Sequence, residues 1–116
     1  MAKLTELEVY NLALEIGEEV YSEIRDWEWF DKSTLGIQLI KSIDSIAANI
    51  SEGFGRYYYK ENKLFCYYAR GSLTESITWI TKALNRKLIS EVTSNNLINK
   101  LELLHKKLNN YIKAIG

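Results

Sequence analysis

No proline occurs anywhere in this chain, and that absence constrains its fold more than any residue present. Proline fixes φ, removes a backbone donor and stops helices. Without it, and with only six glycines in 116 residues, the sequence has little with which to punctuate strands and tight turns. Long helices remain, and apolar residues recur at helical spacing from one end to the other. The length makes one domain, residues 1–116, able to bury a core without metal or disulfide. An apolar fraction of 47% excludes a disordered chain. No apolar run approaches the roughly 18–20 residues that span a bilayer, so no membrane contact is expected.

The spacing predicts four helices. Thr5 stands as the first N-cap, Glu8 completes a capping box, and Leu4 and Val9 are placed as a hydrophobic staple. Leu7, Tyr10, Leu14, Gly17, Tyr21 and Ile24 form the apolar stripe, widened by Ala13, Ile16 and Val20, and the helix ends near Arg25. Trp27, Trp29 and Phe30 fill the connection that follows. They read either as a loop folded over the end of a bundle or as an exposed aromatic patch for subunit contact or base stacking. Asp31 or Ser33 caps the second helix, whose stripe is Gly36, Leu39, Ile43, Ile46, Ala47, Ile50 and Phe54.

The third helix covers residues 60–88, with Cys66, Ala69 or Arg70, Leu73, Ile77, Ile80, Leu84 and Leu88 inward. Ser90 caps the fourth, whose seam Leu97, Leu101, Leu104, Leu108, Tyr111 and Ile115 alternates three and four apart. Four helices with short connections make an all-α, antiparallel up-down-up-down four-helix bundle.

One stretch stands out within the second helix, Ser45-Ile46-Ala47-Ala48-Asn49-Ile50-Ser51-Glu52-Gly53-Phe54-Gly55-Arg56. Its small residues let another helix approach closely, and Asn49, Glu52, Gly53 and Arg56 share one face. Arg70 falls on or beside the apolar stripe of the third helix, where an unpaired guanidinium is expensive. Glu52 and Glu75 are its candidate partners. With Asn49 and Ser72 they make a polar network that sets helix register and catalyses nothing.

Net charge is zero but unevenly spread. Residues 1–44 hold ten acids and four bases, and residues 45–116 hold five acids and eleven bases. Either the acidic first helix lies beside the basic last one, or the second half presents a basic face to nucleic acid or an acidic partner. Candidate contacts are Arg56, Tyr57, Tyr58, Lys60 and Lys63, where tyrosines adjoin cations, and Lys82, Arg86 and Lys87 further on. The tyrosines read equally as packing or oligomer-interface material.

Enzyme chemistry finds little support. Glu102 and His105 have the Glu-x-x-His spacing of carboxylate-bridged metal bundles, but such a site needs two pairs and two further glutamates. His105 is the one histidine, so no metal is expected. Cys66, the one cysteine, sits on an apolar stripe as an inert packing thiol. It also excludes an internal disulfide and suits a reducing cytoplasm. Gly53-Phe54-Gly55 lies in a helical pattern and follows no strand, so it is no dinucleotide fingerprint. No cofactor is expected. Met1-Ala2-Lys3-Leu4 runs directly into a charged helix and reads as no secretion signal.

The stretch from Ser45 to Arg56, followed by Tyr68-Ala69-Arg70-Gly71-Ser72-Leu73-Thr74-Glu75, resembles the bacterial four-helix-bundle family encoded in intervening sequences of 23S ribosomal RNA genes. Leu7-Glu8-Val9-Tyr10 with Ala13 fits the same family, and the resemblance covers nearly the whole chain. Accessory variability proteins of diversity-generating retroelements look like relatives. The resemblance implies a cytoplasmic homopentamer, five bundles in a ring, with no enzymatic activity and an association with RNA or a ribonucleoprotein. It implies structural or interface roles for Asn49, Glu52, Gly53, Arg56, Arg70, Gly71, Ser72 and Glu75. The chain departs from the family pattern at Ala47, often proline there, and at Ile40-Lys41, commonly two basic residues.

Overall fold

Apolar residues three and four apart close one core from four sides. The computed structural model describes residues 2–116. Its long helices are α1 (Glu8–Ile24), α2 (Ile37–Phe54), α3 (Tyr59–Asn85) and α4 (Glu91–Ala114). Among the described residues there is no strand. Helices α1 and α3 each pack on both α2 and α4, so the four close a cycle. This four-helix bundle measures 44 × 23 × 20 Å.

The start of α1 differs from the expected cap. A 3-10 turn, Leu4–Glu6, comes first. The Asn11 side-chain amide donates to the Thr5 carbonyl at 2.9 Å, and the Lys3 backbone N–H donates to Glu6 Oε1 at 3.2 Å. Thr5 is thereby held inside the turn, and Leu7 takes the N-cap position without a side-chain bond. The buried stripe is also rotated from the expected one. Val9, Ala13, Ile16, Gly17, Val20 and Ile24 face the core, while Leu14 and Tyr21 are exposed. Ala13, Ile16 and Val20, which spacing places at the edge of the stripe, are its centre.

The aromatic connection divides between its two readings. Trp27 folds back and is buried, whereas Trp29 is 78% and Phe30 68% exposed. Neither Asp31 nor Ser33 caps α2. A single helical turn, Trp29–Asp31, runs into a π turn, Lys32–Gly36, which leads directly into α2. Hydroxyls of Ser33 and Thr34 donate to the Phe30 carbonyl inside this segment. Beyond it the expected stripe holds, with Leu39, Ile43, Ile46, Ala47 and Ile50 buried, and the helix runs unbroken past Ala47.

Helix α3 stops at Asn85, three residues before the expected end. Lys87 adopts φ 60°. Its N–H reaches the Leu84 carbonyl and the Leu88 N–H reaches Ala83, at 3.0 and 2.9 Å. That is a Schellman stop with lysine where glycine is usual. Ser90 caps α4 as expected, accepting from the Thr93 N–H at 3.1 Å. The seam Leu97, Leu101, Leu104 and Leu108 is buried, and Ile112 replaces Tyr111 as its next member.

The tightest joint is between α2 and α3. A Cβ at Gly53 would lie 2.7 Å from Asn62 Oδ1 and 2.9 Å from the Asn62 carbonyl oxygen. Further along, the buried hydroxyls of Ser42 and Ser76 share a 2.8 Å hydrogen bond, and Ser45 donates to Ser72. Overpacking costs about 1–3 kcal/mol, against the roughly 1 kcal/mol that alanine gains over glycine in helix propensity. Gly53→Ala is therefore expected to lower the urea midpoint. An unchanged or raised midpoint would mean that α3 can back away without loss.

Candidate interaction surfaces

The eight expected contact residues fall at two ends of α3. Lys60 and Lys82 both lie in this helix, roughly 33 Å apart at helical rise. They form no continuous basic face. At the first end Arg56 is already engaged: its Nη2 is 2.7 Å from Glu52 Oε1, and its guanidinium lies 4.7 Å from the Phe65 ring centre. Tyr57 is 88% exposed and packs edge-to-face on Tyr58 at 4.9 Å. Lys60 is exposed and Lys63 half-buried.

At the second end Lys82, Arg86 and Lys87 are exposed, with no ion pair among the described residues. Lys82 and Arg86 line a groove of about 280 Å³ with Trp79, Thr34 and Gln38. Phe30 stands one turn before Thr34, joined to it through the Thr34 hydroxyl at 2.8 Å. Sequence reasoning placed the cations and the aromatics in separate segments. Only the packing of α2 on α3 brings them to the same end.

The polar network is rearranged. Glu52 lies on the exposed side of the last turn of α2 and pairs with Arg56, not Arg70. Arg70 leans toward α4, where Nη1 donates to Asn109 Oδ1 at 2.9 Å and the guanidinium lies 5.1 Å from the Tyr67 ring centre. Glu75 accepts from Trp79 Nε1 at 3.2 Å. Asn49 donates to the Ser45 carbonyl at 2.8 Å, within its own helix. Of the expected set, Ser72 and Arg70 bond across to a second helix, Ser72 to Ser45 on α2 and Arg70 to Asn109 on α4. The inward hydroxyls of Ser42 and Ser76 escaped notice, although each stands on an apolar stripe.

The acidic first helix does lie beside the last. Lys107 pairs with Glu8, and Lys100 lies 2.6 Å from Glu19 and 3.6 Å from Glu15. The hydrogen bond to Glu19 holds the Lys100 ammonium above its ordinary pKa. No hydrogen bond or ion pair joins α1 to α2 among the described residues. That seam is apolar packing, with grooves along its outer side. One stretch of about 340 Å³ lies between Tyr10, Leu14 and Glu18 on α1 and Asp44, Ala48 and Ser51 on α2. Another, about 510 Å³, is lined by Ile24, Gly36, Ile37 and Ile40 and flanked by Lys32 and Lys41.

Two further side chains bear on chemistry. Cys66 is fully buried, and burial pushes its thiol up to about 11, so it stays protonated and inert at neutral pH. His105 is half-buried on α4. Among the described residues no three of His, Cys, Asp or Glu converge, and no helix is long and apolar enough to cross a membrane.

Gly71 is exposed in mid-α3, and a Cβ there would meet nothing within 4 Å. Mid-helix glycine costs about 1 kcal/mol relative to alanine, and nothing within this chain offsets it. Asp44 is the other anomaly. Desolvation, then the nearby Glu18 charge, raises its pKa above 3.8. The folded protein therefore binds this proton more tightly than the unfolded chain. The destabilisation is absent below the unfolded pKa and complete once pH has risen through the folded one. Asp44→Asn is expected to raise the melting temperature at pH 7 and leave it unchanged near pH 3; a lowered value at pH 7 would mean that the carboxylate holds the fold together.

Comparisons with known proteins agree with this architecture. A family model described as 23S rRNA-intervening sequence protein matches residues 5–110, and the chain belongs to that family. A crystal structure from Bacteroides thetaiotaomicron VPI-5482, of a protein with unknown function from the S23 ribosomal protein family, superposes with a TM-score of 0.81. The alignment covers 91% of this chain and 99% of that one at 19% identity, a likeness of fold. No curated protein matches the chain.

Proposed function

We propose, from the premise of family membership, that this chain is a non-enzymatic assembly module whose bundles associate with copies of themselves. The observation that carries this reading is apolar surface left open on two sides. Leu14 and Ile37 along the α1/α2 groove, and Tyr21 on α1, are 42–50% exposed, and Leu64, Tyr67 and Tyr68 on α3 are 44–51% exposed. Patches of this kind mark contact surfaces.

The bundle is one domain, residues 1–116, in up-down-up-down order. The paired residues support that order: Glu8 near the start of α1 meets Lys107 late in α4, while Glu19 meets the earlier Lys100. The assembly is a cytoplasmic ring of five, in line with the resemblance already noted. Light scattering tests it. The expected mass at micromolar protein is a multiple of 13.5 kDa, five-fold for the ring; a monomeric mass would sink the reading.

A second reading, RNA or ribonucleoprotein association, is favoured by the unpaired cations at the end of α3. Phosphate contacts need cations not already spent on carboxylates, and Lys82, Arg86 and Lys87 meet that condition where Arg56 does not. Trp79 lines the same groove, and the exposed Phe30, one turn before Thr34, adds stacking surface at that end. Lys60, Lys63, Tyr57 and Tyr58 would form a separate contact at the other end of the bundle. Mobility-shift titration with structured RNA at two salt concentrations decides between this and a pure protein scaffold, such as an accessory to a reverse transcriptase. The expected result is binding that weakens as salt rises and is reduced in Lys82→Glu/Arg86→Glu. No shift at low salt leaves the scaffold.

A further inference from the structure

We propose that the groove where the entry to α2 meets the end of α3 binds single-stranded nucleic acid, stacking an unpaired base on Trp79 and holding phosphates with Lys82, Arg86 and Lys87. The proposal rests on the second reading above, nucleic-acid association, and says which form of the polymer is taken and by what contacts. Trp79, Lys82 and Arg86 stand three and four apart, so they share one face of α3 and its last turn. Thr34 and Gln38 form the opposite wall, and no carboxylate lines the groove among the described residues. Glu75, one turn before Trp79, is already engaged, accepting from the indole Nε1 at 3.2 Å. That bond orients the indole and uses its one donor, so the ring offers the groove its π surface alone. Asp31 and Glu91, the other acids near this end, pair with none of the three cations among the described residues.

Lys87 is an independent sign. It holds φ 60° just past the helix end, where glycine is usual. A side chain there keeps the backbone in a conformation that costs free energy, and strain of this kind collects at functional sites. The Lys87 ammonium is exposed and repays nothing inside the bundle, since it joins no ion pair or hydrogen bond among the described residues. It follows Arg86 directly and carries the row of cations past the end of the helix. Phosphates alone would suit a duplex equally well. The indole separates the two forms. A duplex keeps its bases stacked inside, whereas a single strand leaves ring faces free for an aromatic side chain.

Fluorescence-anisotropy titration compares three labelled RNA oligonucleotides of equal length: a single strand, the same strand in a duplex, and an abasic strand with the same phosphates. The single strand is expected to bind tightest and the abasic strand about tenfold more weakly, the loss of roughly one stacked base. Lys87→Gly is the decisive variant, because glycine relieves the backbone and the chain still folds. Its melting temperature is expected to rise while its affinity for the single strand falls, and the log–log salt slope should shrink by about 0.7, one phosphate contact. A variant that melts higher and binds as before would overturn the clamp. Equal binding of the abasic strand, or tighter binding of the duplex, would overturn the single-strand site while leaving nucleic-acid association intact. No binding of any of the three, or of structured RNA, at low salt would overturn both. Lys60→Glu/Lys63→Glu, at the opposite end of α3, is expected to bind the single strand as the unaltered chain does; a greater loss there than in Lys87→Gly would move the site to the tyrosine end and overturn the proposal.

Discussion

Everything in this bundle depends on how closely α2 and α3 approach. Backbone stands almost against backbone at Gly53, and no side chain larger than hydrogen fits there. The same joint is fastened further along by the serine pairs 42–76 and 45–72. Small residues and hydroxyls on both helices make the spacing possible, and the hydroxyls fix the axial register, because they must meet partner for partner once removed from water. A two-helix slab of defined register results. Helices α1 and α4 then add larger aliphatic side chains, Ile16, Val20, Leu101, Leu104 and Leu108, that need only fill volume.

The four joints are held by different forces. Helices α2 and α3 share buried hydroxyls, α3 and α4 share Arg70 with Asn109, and α4 and α1 share ion pairs near the surface. Exposed ion pairs stabilise little and weaken with salt, so the last of these guides which helix lies beside which more than it holds them. Between α1 and α2 there is apolar contact alone, with the partly desolvated Asp44 carboxylate beside it. The bundle is fastened by polar contacts on three sides and by apolar packing along the fourth.

Fold and family were legible in the sequence because they rest on periodicity and on one dense motif. The stripes of α2 and α4 follow directly from spacing. The rotation of the α1 stripe did not, because Leu14 and Tyr21 are as apolar as Val20, and spacing cannot distinguish an inward stripe from an outward one beside it. Pairing between helices was the least legible feature. Glu52 and Arg70 look complementary on paper, but Arg56 lies one turn away on the same strand of chain and reaches Glu52 first. The basic residues read as one surface because they are close in composition; a straight helix separates them. Side-chain pattern leaves Trp29 and Phe30 open between burial and exposure, because backbone geometry that it does not encode decides the matter.

That geometry is the π turn, Lys32–Gly36. Such a turn holds one residue more than the α turn it replaces. Trp29 stands seven residues before Gly36, the interval at which an unbroken α-helix would return it to the buried stripe. The extra residue rotates the helix upstream of it by about 100°, and Trp29 emerges into solvent, while Trp27, in the turn that follows α1, is buried. A one-residue phase slip thus converts a would-be core indole into a surface one. Deleting one residue from this segment would restore the α phase and turn the Trp29 indole toward the core, leaving the helices themselves in place.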